Sequence, residues 1–263
     1  MYDFAFQRPT TLAEAVAALQ SEEAQALGGG QTLIPTLKAR LAAPATLVSL
    51  RHIPEMRGVS LDDTGRLCIG GGTTHAQVAR DAAADYPGLA ALAGQIGDPA
   101  VRNRGTIGGS LANNDPSACY PAAALASRAT ILTNTREIDI DEYFQGMFTT
   151  ALDEGEIVTG VKFPIPIASN YQKFEQPASR FALVGVFVAR FDDGVRVAVT
   201  GAAEDGVFRW TEAEDVLSED FSPKAIKALS LSPDGMIGDL HGGPDYRAHL
   251  VGVMTARAVV AAA

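Results

Sequence analysis

The stretch from Arg104 to Ala123 (RGTIGGSLANNDPSACYPAA) admits few folds. It is too polar and too rich in glycine to be core, and its first half shows neither a helical nor a strand period. Gly105, Gly108 and Gly109 permit backbone angles that a side chain forbids, and they let a ligand touch the main chain. Thr106, Ser110, Asn113, Asn114, Asp115 and Ser117 add short hydrogen-bonding side chains. A helix is expected from Pro116 or Ser117 to Ala126, its first N–H groups facing the loop in a manner suited to phosphate. Alone, such a stretch reads equally as a tight loop before a helix. A second one, Ala26 to Pro35 (ALGGGQTLIP), repeats the design. An apolar strand ends in Gly28, Gly29 and Gly30, and a helix follows Gln31 and Thr32 with Pro35 in its first turn. Two such turns suit a ligand with two phosphates, or a long one.

At 263 residues the chain has room for two domains. Its net charge of −10 argues against nucleic acid, which needs clustered Lys and Arg. No apolar run approaches the ~20 residues of a membrane span. The N-terminus has neither a basic n-region nor an apolar h-region, so a cytoplasmic protein is expected. Cys68 and Cys119, the only cysteines, cannot supply the four ligands of an iron–sulfur cluster. His52, His75, His241 and His249 show no metal spacing, so no metal site is expected in this chain. There is no G-x-S-x-G elbow. The glycines at 28 and 30 lead to Leu33 and those at 70 and 72 to His75, so neither set completes G-x-G-x-x-G, and no G-K-[ST] is present.

Taken in order, Thr11 to Glu14 forms a capping box, followed by a helix to about Gln20. Strands at 24–27 and 46–50 flank a helix over 33–41, a small β-α-β unit. Arg51 to Pro54 marks a boundary. A hairpin over 59–69, helices over 75–84 and 89–95, and strands near 129–133 and 156–163 make a second lobe. Pro164 to Pro166 closes it. Strands over 171–175, 183–191 and 195–200 precede helices over 212–217, 224–229 and 246–262, an order that argues α+β. The expected division is residues 1–168, with lobes of about 1–55 and 56–168, followed by 169–263.

The two glycine stretches together resemble the flavin-binding medium subunit of the molybdenum hydroxylases, the family of xanthine dehydrogenase and aerobic carbon monoxide dehydrogenase. Its paired signatures look like A-G-G-[QH]-[ST]-L-[IL]-P and T-[IV]-G-G-[SN]-[LI]-A, matched here by Gly28 to Pro35 and Thr106 to Ala112. Ile96 to Gly105 also looks like the family, and the resemblance covers essentially the whole chain. It implies an α+β fold: a two-lobed FAD-binding domain of the vanillyl-alcohol-oxidase-like (PCMH) type. A smaller α+β domain with a three-stranded antiparallel sheet plus helices follows. It implies FAD contacts from Leu27, Gly28, Gly29, Gly30, Gln31, Thr32, Leu33 and Ile34, and from Thr106, Gly108, Gly109, Ser110, Ala112, Asn113, Asp115, Ala118 and Cys119. Ile96, Val101 and Val158 match apolar contact positions, although many apolar residues would serve there. Thr74 and His75 are candidates for the pocket wall; a lone histidine equally caps or packs. Lys173 stands where the family has a lysine reaching the flavin from the C-terminal domain, and reads otherwise as an exposed strand lysine. Arg102 and Arg104 could offset diphosphate charge, bind a partner or be simply solvated. One position departs from the family: Cys119 stands where an aspartate often accepts a hydrogen bond from the cofactor's polyol, with Asp115 and Ser117 near enough to compensate.

The resemblance further implies an oxidoreductase component with no catalytic side chain of its own. Substrate oxidation belongs to a molybdopterin centre on a large subunit. Electrons pass through two [2Fe–2S] clusters on a small subunit to FAD here, then to an acceptor such as NAD, a quinone or oxygen. A dimer of heterotrimers is implied; FAD is expected to be held noncovalently because neither glycine loop has a histidine or cysteine at its centre. Gln31, where the carbon monoxide enzymes tend to have histidine, argues slightly against that substrate. The rival readings are a stand-alone flavin oxidoreductase and a non-enzymatic flavin- or nucleotide-binding module.

Overall fold

The computed structural model describes residues 1–262. The first lobe is a parallel sheet in the order β1-β3-β2, formed by β1 (Ala5–Gln7), β2 (Ala24–Leu27) and β3 (Thr46–Ser49). Parallel neighbours need crossovers. These are α1 (Leu12–Leu19) and α2 (Leu33–Lys38). The Thr11 hydroxyl accepts the Glu14 N–H at 3.2 Å, so the expected N-cap forms, but the Glu14 carboxylate closes on the Thr10 N–H at 2.8 Å and not on the Thr11 N–H of a full capping box. β3 is buried along its whole length because it lies between the other two strands. β1 escapes sequence reading because all three of its residues are exposed. Backbone pairing alone places it.

The second lobe carries an antiparallel sheet, β4-β5-β10-β6-β7, from β4 (Val59–Leu61), β5 (Leu67–Gly70), β6 (Thr130–Thr133), β7 (Glu137–Asp139) and β10 (Val158–Phe163). A two-stranded hairpin, β8 (Phe144–Gly146) and β9 (Thr149–Thr150), stands apart from it. Five helices fill the space between β5 and β6: α3 (His75–Asp81), α4 (Pro87–Gly94), α5 (Pro99–Arg102), α6 (Ile107–Asn113) and α7 (Cys119–Ala126). A short α8 (Ile140–Tyr143) follows β7. Here the loop expected over the first half of the glycine stretch is corrected, because Ile107–Asn113 is helical. Thr106 caps it, its hydroxyl accepting the Gly109 N–H at 3.2 Å. Glycines within a helix cost up to about 1 kcal/mol each relative to alanine. Packing requires the first of them: a Cβ on Gly108 would lie 2.7 Å from the Gly71 carbonyl oxygen. The following helix begins at Cys119, later than the expected Pro116 or Ser117. Pro116 and Ser117 are held instead in a turn in which the Asp115 carboxylate accepts the Ser117 N–H at 2.8 Å.

The C-terminal sheet has four antiparallel strands, β11 (Ala168–Glu175), β12 (Ala182–Phe191), β13 (Gly194–Ala203) and β14 (Gly206–Arg209), not the three expected. The fourth is a four-residue edge strand with only one fully buried residue, too short for a readable alternation. β12 is apolar on both faces because it separates two cores. Val184, Val186 and Val188 pack with α9 (Thr211–Glu219) and α11 (Pro244–Ala262). Phe187 and Ala189 join the core of the second lobe. A short α10 (Pro223–Ile226) lies beside α9 and α11. Where β13 meets the loop before α7, the Thr200 hydroxyl lies 2.7 Å from the carbonyl oxygens of both Pro116 and Ala118, and Gly201 donates its N–H to Pro116 at 2.7 Å. The C-terminal sheet thereby anchors a loop that also borders the site.

Candidate functional site: a cleft between the glycine turns

A cleft of about 700 Å³ runs past the ends of β2, α3 and α6 to β11. Its size lies within the range of small-molecule sites. The two glycine turns form its floor and touch each other. A Cβ on Gly29 would lie 2.1 Å from the Arg104 carbonyl oxygen, and one on Gly28 would lie 3.0 Å from the Thr106 hydroxyl. The second turn therefore excludes a side chain at 29 and crowds one at 28. Gly30 is different: its φ of +74° is a backbone conformation that side chains strain.

The turns differ in their free backbone groups. The N–H groups of Gly29, Gly30, Gln31 and Thr32 have no hydrogen-bond partner among the described residues. In the second turn the N–H groups are used. Ile107 donates to Thr73 at 3.1 Å, Gly108 to Gly71 at 2.9 Å, Gly109 to the Thr106 hydroxyl at 3.2 Å and Ser110 to the Thr106 carbonyl at 3.0 Å. Adjacent unpaired N–H groups attract an anion.

The charge around the cleft has the opposite sign to that of the whole chain. Arg51, Arg57, Arg104 and Arg180 line it, exposed and without ion pairs among the described residues, although the net charge is −10. Of the lining carboxylates, Glu156 is already held by Arg136 and accepts from the Thr133 and Thr135 hydroxyls at 2.6 and 2.7 Å. The Arg136 hydrogen bond is the main reason its carboxyl group is pulled down to about 2. It is therefore a structural anion and no proton acceptor at neutral pH.

The wall is formed by buried groups. His75 is 5% exposed, and its Nδ1 has no partner among the described residues. A Cβ on Gly105 would lie 2.5 Å from its Nε2. Burial, and secondarily Arg102, bring its pKa down to about 4, so the ring is neutral at pH 7. The Tyr120 ring packs against it, 5.3 Å between centroids. Lys173 is not the exposed strand lysine of the alternative reading: its side chain is 1% exposed, and Nζ donates to the Gln95 carbonyl at 2.9 Å. Cys119 is buried, which pushes its thiol up, and Lys173 opposes that shift. Arg102 donates to the carbonyls of Ile96 and Gly97 at 3.1 and 2.7 Å, bracing that turn from outside the cleft lining.

The cleft brings together every FAD contact expected from the sequence except Ile34; Arg102 and Asn114, also candidates there, lie outside its lining. Helical side chains lean toward the helix N-terminus. Ile34 accordingly covers Gly30, where a Cβ would meet its Cγ1 at 2.9 Å. Sequence reading missed Gly71 and Gly72, although the triple glycine was visible as a turn. It also missed Leu50, Arg51, Met56 and Arg57, and Ser179 to Phe181 at the tip of the β11–β12 hairpin. No local signal marks these residues, because only the tertiary fold brings them to the cleft.

Residues 2–166 match the family described as the FAD binding domain in molybdopterin dehydrogenase. The carbon monoxide dehydrogenase medium chain of Hydrogenophaga pseudoflava is 31% identical over 281 residues, spanning 98% of this chain and 96% of its own length. The nicotine 6-hydroxylase medium subunit of Paenarthrobacter nicotinovorans is 32% identical over 276 residues, again spanning 98% and 96%. Among solved structures, reconstituted carbon monoxide dehydrogenase from Oligotropha carboxidovorans superposes with a TM-score of 0.90 at 31% identity, covering 99% of this chain and 98% of that one. With its paired glycine turns, its two-lobed α+β architecture and similarity along nearly its whole length, the chain belongs to the FAD-binding medium subunits of the molybdenum hydroxylases.

Proposed function

We propose that this protein is the FAD-carrying, electron-transferring medium subunit of a multi-subunit molybdenum hydroxylase. One observation carries the reading: a run of four unpaired backbone N–H groups, Gly29 to Thr32, in a cleft rimmed by unpaired arginines within an acidic protein. That donor set fits a diphosphate. The close-packed glycines leave room for it, and the buried, neutral His75 ring shapes the wall beside it. FAD, when bound, accepts and releases electrons, and the protein supplies position and electrostatics. Gly28 to Leu33 with Leu27 form one side of its seat. Thr74, His75, Ile96, Val101, Thr106, Gly108, Gly109, Ser110, Ala112, Asn113, Asp115, Ala118, Cys119, Val158 and Lys173 form the rest. Ile34 acts behind that surface by holding Gly30 in place. Cys119, beside Lys173, leaves the polyol contact to Asp115.

In this reading residues 1–168 hold the cofactor, in lobes 1–55 and 56–168, and residues 169–263 cover its far end through Lys173 and the β11–β12 hairpin. Iron–sulfur and molybdopterin subunits complete a cytoplasmic dimer of heterotrimers, and an external acceptor takes the electrons. Relatives of nearly equal identity are named for carbon monoxide and for nicotine, so overall similarity does not select the organic substrate.

Purifying the tagged chain from its native host should bring down an iron–sulfur and a molybdenum subunit. Denaturation should release free FAD, because FAD is held noncovalently. Titrated alone with FAD, the chain should quench flavin fluorescence yet oxidise no aldehyde, purine or N-heterocycle. Turnover of any of these without molybdenum or iron would defeat the subunit reading, and yellow colour remaining in the precipitate would defeat noncovalent binding.

A further inference from the structure

We infer that the turn Met147-Phe148, at the tip of the β8–β9 hairpin, is the seat of the iron–sulfur partner; this rests on the proposed function. Met147 and Phe148 are adjacent, 46% and 57% exposed. Phe148 has φ +54°, which a bulky aromatic rarely adopts and which costs free energy in the isolated chain. Exposed apolar surface and backbone strain at one point are both unfavourable for a chain that stays alone, and a recess that receives the side chains offsets them.

The turn is held rigidly. Asn114 donates its side-chain amide to the carbonyls of Gly146 and Thr149 at 2.8 and 2.9 Å, and its own carbonyl accepts the Phe148 N–H at 3.1 Å. The Thr149 hydroxyl adds a bond to the Met147 carbonyl at 3.1 Å. Asn114 is 1% exposed and left-handed, with φ +42°. A pre-ordered anchor loses little entropy on docking.

Its place in the fold selects the occupant. Asn114 ends α6, whose other end is the second glycine turn, about 10 Å away for seven residues of helix. Its chain neighbours, Asn113 and Asp115, both line the cleft. The turn therefore stands at the edge of the cofactor seat, where a one-electron carrier must come close. A Phe–Met anchor suits a small apolar recess on that carrier's protein, since aromatic residues and Met are enriched in interface cores. The molybdopterin subunit has no need to be near the flavin.

Phe148→Asp and, because it removes the anchor without adding charge, Phe148→Ser test the assignment in the co-expressed complex. Each variant is expected to keep the wild-type Tm and FAD affinity of the isolated chain and to weaken its binding to the purified iron–sulfur subunit at least tenfold. Reduction of its flavin by substrate through the complex should slow to match, while reduction by dithionite is unchanged. Asn114→Ala, which frees the turn, should weaken the same binding by a smaller factor. Wild-type affinity for the iron–sulfur subunit in both Phe148 variants would overturn the inference, as would loss of the molybdopterin subunit with the iron–sulfur subunit retained. Loss of FAD would also overturn it, because the turn would then belong to the cofactor seat. Failure of the wild-type chain to bind any iron–sulfur subunit would instead remove the proposed function itself.

Discussion

The turns at Gly28 to Thr32 and at Thr106 to Ser110 look alike as strings, glycines followed by a hydroxyl or amide residue, yet they solve different problems. In the first, the N–H groups from Gly29 to Thr32 have no partner among the described residues, and Gly30 takes a left-handed conformation. In the second, the glycines lie within a helix, and their N–H groups bind Thr106 and Gly71. The first turn offers donors; the second offers a close, rigid surface that holds the first in place. A glycine-rich motif therefore does not by itself say whether it frees the backbone for a ligand or packs it against another segment.

The comparison breaks first at Gly29. A valine there would put its Cβ against the Arg104 carbonyl, a backbone atom that cannot retreat. Gly29→Val should be insoluble or lose more than 4 kcal/mol of stability, beyond the usual range for single substitutions. A soluble variant with wild-type Tm and FAD affinity would show that the two turns do not touch.

Acid should act on the second turn and spare the first, since His75 packs on Gly105. Its folded pKa, about 4, lies below the ordinary histidine value of 6.5, so the unfolded chain binds the proton more readily. The neutral ring contributes fully above about pH 6.5, and that contribution is lost as pH falls toward 4, by about 3 kcal/mol in all. Glu156 adds a second loss at lower pH, between the ordinary carboxylate range near 4.5 and about 2. Urea unfolding at pH 7, 5.5 and 4.5 should show the decline for wild type, and His75→Gln should flatten it between 6.5 and 4.5. An equal decline in the variant would assign the acid sensitivity elsewhere.

The threonines should separate the turns by a smaller margin. Thr106 caps α6 through its hydroxyl, whereas Thr32 makes no side-chain cap bond. Thr106→Ala should cost about 1 kcal/mol, and Thr32→Ala a few tenths at most. Equal costs by chemical denaturation would mean that the caps are equivalent.

Gly109→Ala should affect stability little. Its Cβ would meet only the Thr106 hydroxyl, at 3.0 Å, and helix propensity offsets that contact. Tm should stay within about 2 °C of wild type, a shift of less than 1 kcal/mol for a chain of this size. FAD affinity, read by fluorescence quenching, should fall at least tenfold, because Gly109 is exposed to the cleft. Unchanged affinity would make Gly109 a packing glycine like Gly108.

Much of the site was legible because its residues are local in sequence. Gly28 to Leu33 line the cleft without a break and Thr106 to Cys119 supply ten lining residues within one stretch, so a motif captures them. Arg57 and Phe181 come singly from a lobe boundary and from a hairpin tip, and nothing adjacent to them in the chain marks them. Ile34 packs on Gly30 outside the cleft lining, because spacing along a helix does not say which way the first turn leans. The helix over Ile107–Asn113 was hidden because two glycines and an asparagine suppress its propensity, which a threonine cap and contact with Gly71 then outweigh.

By itself the sequence determined the family, the α+β class, the positions though not the ends of most strands, and the two segments of the site. Each of these depends on near neighbours along the chain: caps, turns and periodicity. Tertiary structure alone decided which glycine N–H groups bond to other segments, that four arginines gather at the cleft of an acidic protein, and that β12 serves two cores. Those outcomes depend on which segments occupy the space beside each residue, and sequence spacing does not encode that.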